Sequence, residues 1–141
     1  MKPSPNLICP CGSKQKYKKC CQVFHHGKVP NNALLLMKSR YSAYCFGLLK
    51  YIIKTTHKDN IDFQEDIISW EKDIKSFCEN TNFEQLRILD FIDGDNIAFV
   101  TFYAKLSSNG EDISFSEKSK FYKVNDIWIY HSGEFLENSL S

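Results

Sequence analysis

The chain has 141 residues, of which 43% are hydrophobic and 14% aromatic, so it can bury one good core but not two. No apolar run approaches the roughly 20 residues that cross a bilayer, which excludes a membrane-spanning helix. The net charge is +1, but the charged residues are distributed unevenly along the chain. The first 58 residues carry eleven basic and no acidic side chains, and the remainder carries seven basic and seventeen acidic ones.

The first element is a cluster of four cysteines with the spacing C-x-C-x8-C-C. Its members are Cys9, Cys11, Cys20 and Cys21. Four thiolates within so short a run predict a closed tetrahedral site for one structural zinc ion, with sulfur atoms about 2.3 Å from the metal. We expect Ser13 to cap a short helix over residues 14–21, whose last turn presents the second pair of cysteines.

An iron–sulfur centre, a redox pair and a disulfide framework are the alternatives for this cluster. A redox pair usually has the spacing C-x-x-C beside a strand, which is absent here. Disulfides require an oxidising compartment, and residues 1–7 contain no apolar stretch of signal-peptide length. We therefore expect a cytosolic chain whose cysteines bind metal. His25 or His26 could replace one cysteine ligand, although four thiolates already complete a zinc site.

Four lysines lie between the two cysteine pairs. They are Lys14, Lys16, Lys18 and Lys19. A helix this short cannot bury four ammonium groups, so we expect these side chains to face solvent. They either offset the negative charge of a thiolate–metal site or form a docking surface for an acidic partner, protein or RNA.

Composition and spacing divide the chain into three parts. The predicted zinc knuckle, residues 1–24, is followed by a linker at residues 25–31 that contains both His25 and His26. One compact domain is predicted to occupy residues 32–141.

The predicted domain begins with helices and continues with strands. Asn32 is expected to cap a long helix ending near Thr56, and Asp62 a second helix ending near Asn80. The strand-like segments that follow are residues 84–93, 96–107, 113–124 and 127–135. Hairpin-type connectors between them indicate an antiparallel meander. The expected fold is α+β, with two helices packed on a curved four-stranded sheet that leaves a concave cavity at its open end.

The domain also contains weak candidates for a catalytic site. Glu117 shares an otherwise apolar strand face, and we expect it to pair with Arg40 or His57 in a closed interior, as a structural ion pair. A catalytic role would combine these three side chains with Tyr41 and His131. His57 is itself predicted to end the long helix and to interact with the helix dipole.

Two parts of the chain resemble known families. The run from Cys9 to Cys21 resembles the SEC-C motif, the zinc knuckle at the C-terminus of the secretion ATPase SecA. The segments similar to the YchJ-like family are Leu36-Met-Lys-Ser-Arg-Tyr-Ser-Ala-Tyr44, Thr55-Thr-His57, the helix with Trp70, Glu117-Lys-Ser-Lys-Phe121, Trp128 and Tyr130. The resemblance implies a SEC-C knuckle joined to a nuclear-transport-factor-two-like (cystatin-type) domain. It implies no reaction.

The sequence departs from these families at two points. Lys14 stands where SEC-C motifs usually have a second glycine, and we expect it to be tolerated because it opens a helix. Many relatives carry a second SEC-C knuckle at their C-terminus; we expect none here and therefore no two-clamp mode of binding.

Three functions remain open at this stage. We expect an adapter or accessory protein, more than an enzyme, whose basic knuckle docks on an acidic protein such as a chaperone, a secretion component or the ribosome. The similar module of SecA binds the chaperone SecB and approaches ribosomes, so the resemblance implies an analogous partner. A small-molecule-binding protein or hydrolase- or isomerase-type enzyme that uses the cavity is the alternative. An RNA-binding protein with Tyr17 and Phe24 stacked on bases is the third.

Overall fold

A computed structural model describes residues 1–137. This part of the chain folds into a cysteine-rich N-terminal segment, four α-helices and one antiparallel sheet. None of its helices is both long and apolar enough to cross a membrane. The predicted α+β class is confirmed, with differences in where the helices begin and end.

The N-terminal segment lacks the helix that we predicted over residues 14–21. Lys14 has a φ of +66°, in the left-handed region, where no residue of a right-handed helix lies. A single turn of 3-10 helix, Tyr17–Lys19, leads into helix α1, Cys21–His25. Ser13 caps neither of them. The second pair of cysteines therefore lies at the start of a helix and not in its last turn.

Glycine would adopt the left-handed backbone at Lys14 without the steric strain that a lysine carries there. We expect Lys14→Gly to stabilise the protein by about 0.5–1 kcal/mol. The variant relieves backbone strain in the folded state, and this gain exceeds the cost of the greater conformational entropy that glycine gives to the unfolded chain. Urea denaturation of the metal-loaded protein measures this. Lys16→Gly is the matched control, because Lys16 has a φ of −63° and should lose stability. A loss of stability in both variants would contradict the assignment.

The predicted long helix is two helices. Helix α2 is Ala33–Phe46, and Asn32 caps it as predicted, its Oδ1 accepting a backbone N–H bond of 2.8 Å. Gly47 ends α2 with a left-handed φ of +67°. Helix α3, Leu49–Lys54, begins after Leu48. The expected continuation to Thr56 was wrong because glycine at this position terminates a helix.

The second predicted helix starts four residues later than expected. Helix α4 is Ile67–Glu79, and its N-cap is Asp66, whose side chain accepts a 3.2 Å hydrogen bond from the backbone N–H of Ser69. Asp62, the predicted cap, lies in the preceding turn. Both aspartates suit a cap chemically, and only the one adjacent to the helical segment performs the role.

The strands form the predicted antiparallel meander. They are β1 (Asn82–Ile92), β2 (Ile97–Ser108), β3 (Glu111–Asp112), β4 (Phe115–Val124) and β5 (Ile127–Leu136). The order is β1-β2-β4-β5, with the two-residue β3 paired to β2. Asn125 and Asp126 both have positive φ, as a tight β4–β5 hairpin turn requires. The register shifts in the β1–β2 and β4–β5 pairs, and such irregularities of the β-bulge type bend a strand.

Helix α2 lies against the sheet and forms the main core. Leu36 and Met37 of α2 pack with inward-facing residues of β2 such as Val100 and Phe102. A second apolar cluster joins α2, α3 and α4 around Trp70. The central position of α2 matters for function, because the N-terminal cysteines and the sheet both contact it.

Candidate functional site

The four predicted cysteine ligands come together in the structure. Their sulfur atoms all lie within 4.8 Å of one another, and those of Cys11 and Cys20 are 3.5 Å apart. A tetrahedron with metal–sulfur bonds of 2.3 Å has edges of about 3.8 Å, so the spacing suits one ion. All cysteines of the described chain are free thiols. The cluster can hold a metal ion without large rearrangement.

Two serine hydroxyls support the sulfur atoms. Ser13 Oγ lies 3.1 Å from Cys20 Sγ, and Ser42 Oγ donates a 3.2 Å hydrogen bond to Cys21 Sγ. Ser42 is also 3.5 Å from the sulfur of Cys9. It belongs to helix α2, so the domain contributes directly to the surroundings of the cysteines. Sequence reasoning missed Ser42, because nothing in the local pattern of α2 links it to a segment twenty residues away.

Hydrogen bonds among the four thiols shift their pKa values in opposite directions. Hydrogen bonds from Cys21, Ser13 and Cys11 lower the pKa of Cys20 to about 6. Hydrogen bonding with Cys11 and the other neighbouring thiols raises the pKa of Cys21 far above its ordinary value, since adjacent thiolates cannot all ionise without compensation. A bound cation would displace the remaining protons, and its affinity should therefore rise with pH.

The cysteine-rich segment is locked onto the domain through aromatic and histidine contacts. The rings of Tyr17 and Phe46 meet edge to face, with centroids 4.9 Å apart. His25 Nε2 lies 2.8 Å from the carbonyl oxygen of Ser39, so Nε2 carries the proton and donates. Nδ1 then accepts from the Tyr17 hydroxyl at 2.5 Å. Burial raises the pKa of Tyr17 to about 12 and lowers that of His25, which keeps both groups neutral.

These contacts correct the expectation for His25. We predicted His25 as a linker residue, and it instead ends α1 with both ring nitrogens hydrogen-bonded to protein groups. Neither His25 nor His26 belongs to the cluster of metal-type donors in the described chain. The cysteines alone form the candidate site.

Comparison with known proteins agrees with this arrangement. The SEC-C motif model matches residues 6–22, which include all four cysteines. The model for the middle NTF2-like domain of YchJ matches residues 32–133. The chain belongs to the YchJ-like family. The predicted resemblance is thereby confirmed for both parts of the molecule.

Individual relatives of this YchJ-like chain cover most of its length. A UPF0225 protein of Vibrio parahaemolyticus is 35% identical over 92% of this chain and 75% of its own length. A UPF0225 protein of Streptomyces coelicolor is 33% identical over 94% of this chain and 99% of its own length. The solution structure of a SEC-C motif containing protein from Rhodopseudomonas palustris is 27% identical, with a TM-score of 0.77, and covers 93% of this chain and 100% of its own.

Three of the four predicted docking lysines share one surface of this YchJ-like protein. Lys16, Lys18 and Lys19 line a shallow depression of about 540 Å³ together with Gln15. Lys14 is exposed but does not line it. We call this surface the lysine face, meaning Lys16, Lys18 and Lys19. In the chain these residues lie between Cys11 and Cys20.

The concave side of the sheet encloses an open cavity of about 820 Å³, which lies between the sheet and helices α2 and α4. Glu117 lines it and accepts hydrogen bonds from the hydroxyls of Ser119 and Tyr130, the latter at 3.0 Å. It forms no ion pair with Arg40 or His57. The expected structural ion pair in a closed interior was therefore wrong, because two hydroxyls satisfy the carboxylate instead.

The remaining catalytic candidates are distributed over different sites. Tyr41 packs edge to face on Phe83 in the core, beside the cavity. His57 lies beyond the end of α3, so the prediction that it ends a helix was wrong. Ligand atoms of His57, Asp59 and His131 lie within 4.8 Å of one another. Nδ1 of both histidine rings already engages a protein group, so we assign no ion to these three residues.

Proposed function

We propose that the chain is a zinc-stabilised accessory protein that docks on an acidic protein surface through the lysine face. The observation that carries the proposal is the convergence of four sulfur atoms next to three exposed lysines. Zinc suits four thiolates in a closed site because it is borderline soft and has no redox chemistry. The site would have no open coordination position, so the metal would be structural and the lysines would make the contact.

The reduced thiols that such a site needs support a cytosolic location, where free cysteines persist. The lysine face supports binding through long-range attraction to negative charge. Its three ammonium groups lie outside the carboxylate-rich part of the sequence, and none of them forms a salt bridge with another described residue. They are therefore free to meet carboxylates of another protein.

Protein is favoured over RNA as the partner for a specific reason. Tyr17 and Phe24, the aromatic residues that could stack on bases, are buried, with relative exposures of 2% and 9%. A single-strand binder normally combines basic side chains with exposed aromatic rings. The lysine face is left without stacking surfaces from these two residues.

Charge reversal of the lysine face tests the proposal. We expect Lys16→Glu, Lys18→Glu and Lys19→Glu together to abolish retention of one defined acidic protein from native lysate, measured by affinity capture and quantitative mass spectrometry. Three repulsive charges replace three attractive ones, and retention should fall about tenfold or more. The matched control reverses Lys50, Lys72 and Lys75, which are exposed on α3 and α4.

The two variants have the same net charge, so any difference between them reports on position and not on total charge. Equal retention by the wild type and the lysine-face variant would refute the docking surface. Retention that nuclease treatment abolishes would refute a protein partner in favour of RNA. Elemental analysis of the same samples should find about one zinc per chain, and iron or no metal would refute the zinc assignment.

A further inference from the structure

A buried arginine with unused hydrogen-bond donors faces the cavity. Arg40 is only 8% exposed, and it lines the cavity between α2, α4 and the sheet. We propose that Arg40 makes this cavity a binding site for the carboxylate group of a small organic molecule with an apolar or aromatic body. This site is separate from the cysteine cluster and the lysine face, and it does not depend on their function.

One nitrogen of Arg40 is held by the protein. Nη1 donates to the carbonyl oxygen of Ile52 at 3.0 Å and to the hydroxyls of Thr55 and Thr56 at 2.7 and 3.0 Å. The guanidinium plane also lies over the ring of Tyr130, 4.6 Å from its centroid. These contacts fix the orientation of the guanidinium, so binding to it would require little ordering of the side chain.

The other two nitrogens remain available. Nε and Nη2 donate to no acceptor among the described residues. Both atoms are accessible to solvent. Among the described residues, Ser116 Oγ is the only fully buried side-chain nitrogen or oxygen without a hydrogen-bond partner, so Nε and Nη2, which also have none, are not fully buried. Nε and Nη2 must therefore contact solvent-accessible space, and the space that Arg40 lines is the cavity. Their parallel N–H groups form the fork that binds a carboxylate through two hydrogen bonds.

The charge on Arg40 also lacks a counterion. No described carboxylate lies within 4.0 Å of it, and its protein partners are a carbonyl and two hydroxyls, which are neutral. A buried cation without an anion is costly unless a ligand or water compensates it. Glu117 does not serve, since its hydrogen bonds come from Ser119 and Tyr130.

The rest of the cavity wall selects among anions. Among the described residues of the lining, Arg40 is the only basic one, and the acidic ones are Asp62, Asp73 and Glu117. The three carboxylates would repel a multiply charged phosphate more strongly than a singly charged ligand. Arg40 is the place in this lining where one carboxylate group meets an attractive charge. Aromatic residues such as Trp70 and Phe102 provide an apolar wall for the body of the ligand. A volume of about 820 Å³ is large enough for a small organic molecule.

The experiment compares acids with their neutral amides on the full metal-loaded chain. Phenylpropionate and octanoate are titrated beside phenylpropionamide and octanamide, with binding followed by calorimetry and by the ¹⁵N–¹H signals of arginine Nε. The chain has two arginines, Arg40 and the exposed Arg87, so the variant Arg87→Lys assigns the signals. We expect at least one acid to shift the Arg40 Nε signal and to bind about tenfold to a hundredfold more tightly than its amide.

The variant Arg40→Lys keeps the charge and removes the fork, and it should weaken binding of that acid by about tenfold or more. Arg87→Lys makes the same chemical change elsewhere and should leave the affinity unchanged. The comparison of acid with amide uses the native chain, so it stands even if Arg40→Lys proves unstable. Equal binding of acid and amide, an Arg40 signal that does not move, or no binding of any probe at millimolar concentration would each overturn the proposal.

Discussion

Removing the metal should lower the thermal midpoint of the entire protein by about 10 °C or more, in one transition instead of two. A knuckle joined to the domain only by a linker, as the sequence predicts, would leave the domain unchanged when the metal is lost. The structure changes that expectation, because Ser42 of helix α2 bonds to the sulfur of Cys21, and Phe46 packs on Tyr17. Without the metal, the thiolates repel one another, and their movement would disturb the contacts that Ser42 and Phe46 of helix α2 make with this segment. Calorimetry of the metal-loaded and the chelator-treated, reduced protein measures the shift.

The variant Cys21→Ser should reproduce the effect of the chelator, since it removes one of four ligands. Cys78→Ser is the matched control, because Cys78 lies on α4 and belongs to the apolar cluster around Trp70, outside the metal-type donors. It should retain the metal and shift the midpoint much less. A domain transition that stays at its original temperature after metal removal would show that the two parts are thermodynamically independent.

Phe46→Ala should destabilise the protein by about 3–5 kcal/mol and should also weaken metal binding. The ring is buried at the end of α2, in the same cluster as Cys9, Cys11 and Cys21. Its loss leaves a cavity between the helix and the cysteine-rich segment. Because metal binding and folding are linked, we expect the metal affinity to fall about tenfold. Denaturant unfolding and competition with a chromogenic chelator give the two quantities.

Phe102→Ala provides the comparison for this variant. Phe102 is equally buried, but it packs in the main core between α2 and the sheet and belongs to a different cluster. Its truncation should cost a similar free energy of unfolding while leaving the metal affinity nearly unchanged. If both variants lose metal affinity to the same extent, the effect reflects general destabilisation and not the contact between Phe46 and Tyr17.

Local signals in the sequence were sufficient for much of the fold. The alternation of apolar residues and the turn residues Asn125 and Asp126 specify the hairpins, because side-chain direction and turn type are set by neighbouring residues. Asn32 likewise predicts the start of α2, because an N-cap is a local signal. The spacing of the cysteines identified the metal-type cluster, since four sulfur atoms so close in sequence meet wherever the chain turns.

The errors arose where backbone conformation or distant contacts decide the outcome. Lysine is a good helix former, yet Lys14 adopts a left-handed conformation because the turn between the cysteine pairs imposes it. The partners of His25 and Ser42 come from separate segments, and no local pattern predicts them. The sequence suggested Arg40 as a partner for Glu117 or as a catalytic candidate and not as a ligand-binding residue, since charge alone does not show which way a guanidinium points.

Helix α2 contributes residues to both candidate sites. Arg40 and Ser42 lie two residues apart on it, one directed to the cavity and the other to the cysteine sulfurs. A short stretch of helix moves as a unit, so a rotation that draws Ser42 away from Cys21 must also turn Arg40. We therefore expect a change in the arrangement of the cysteine sulfurs to shift Arg40 in the wall of the cavity.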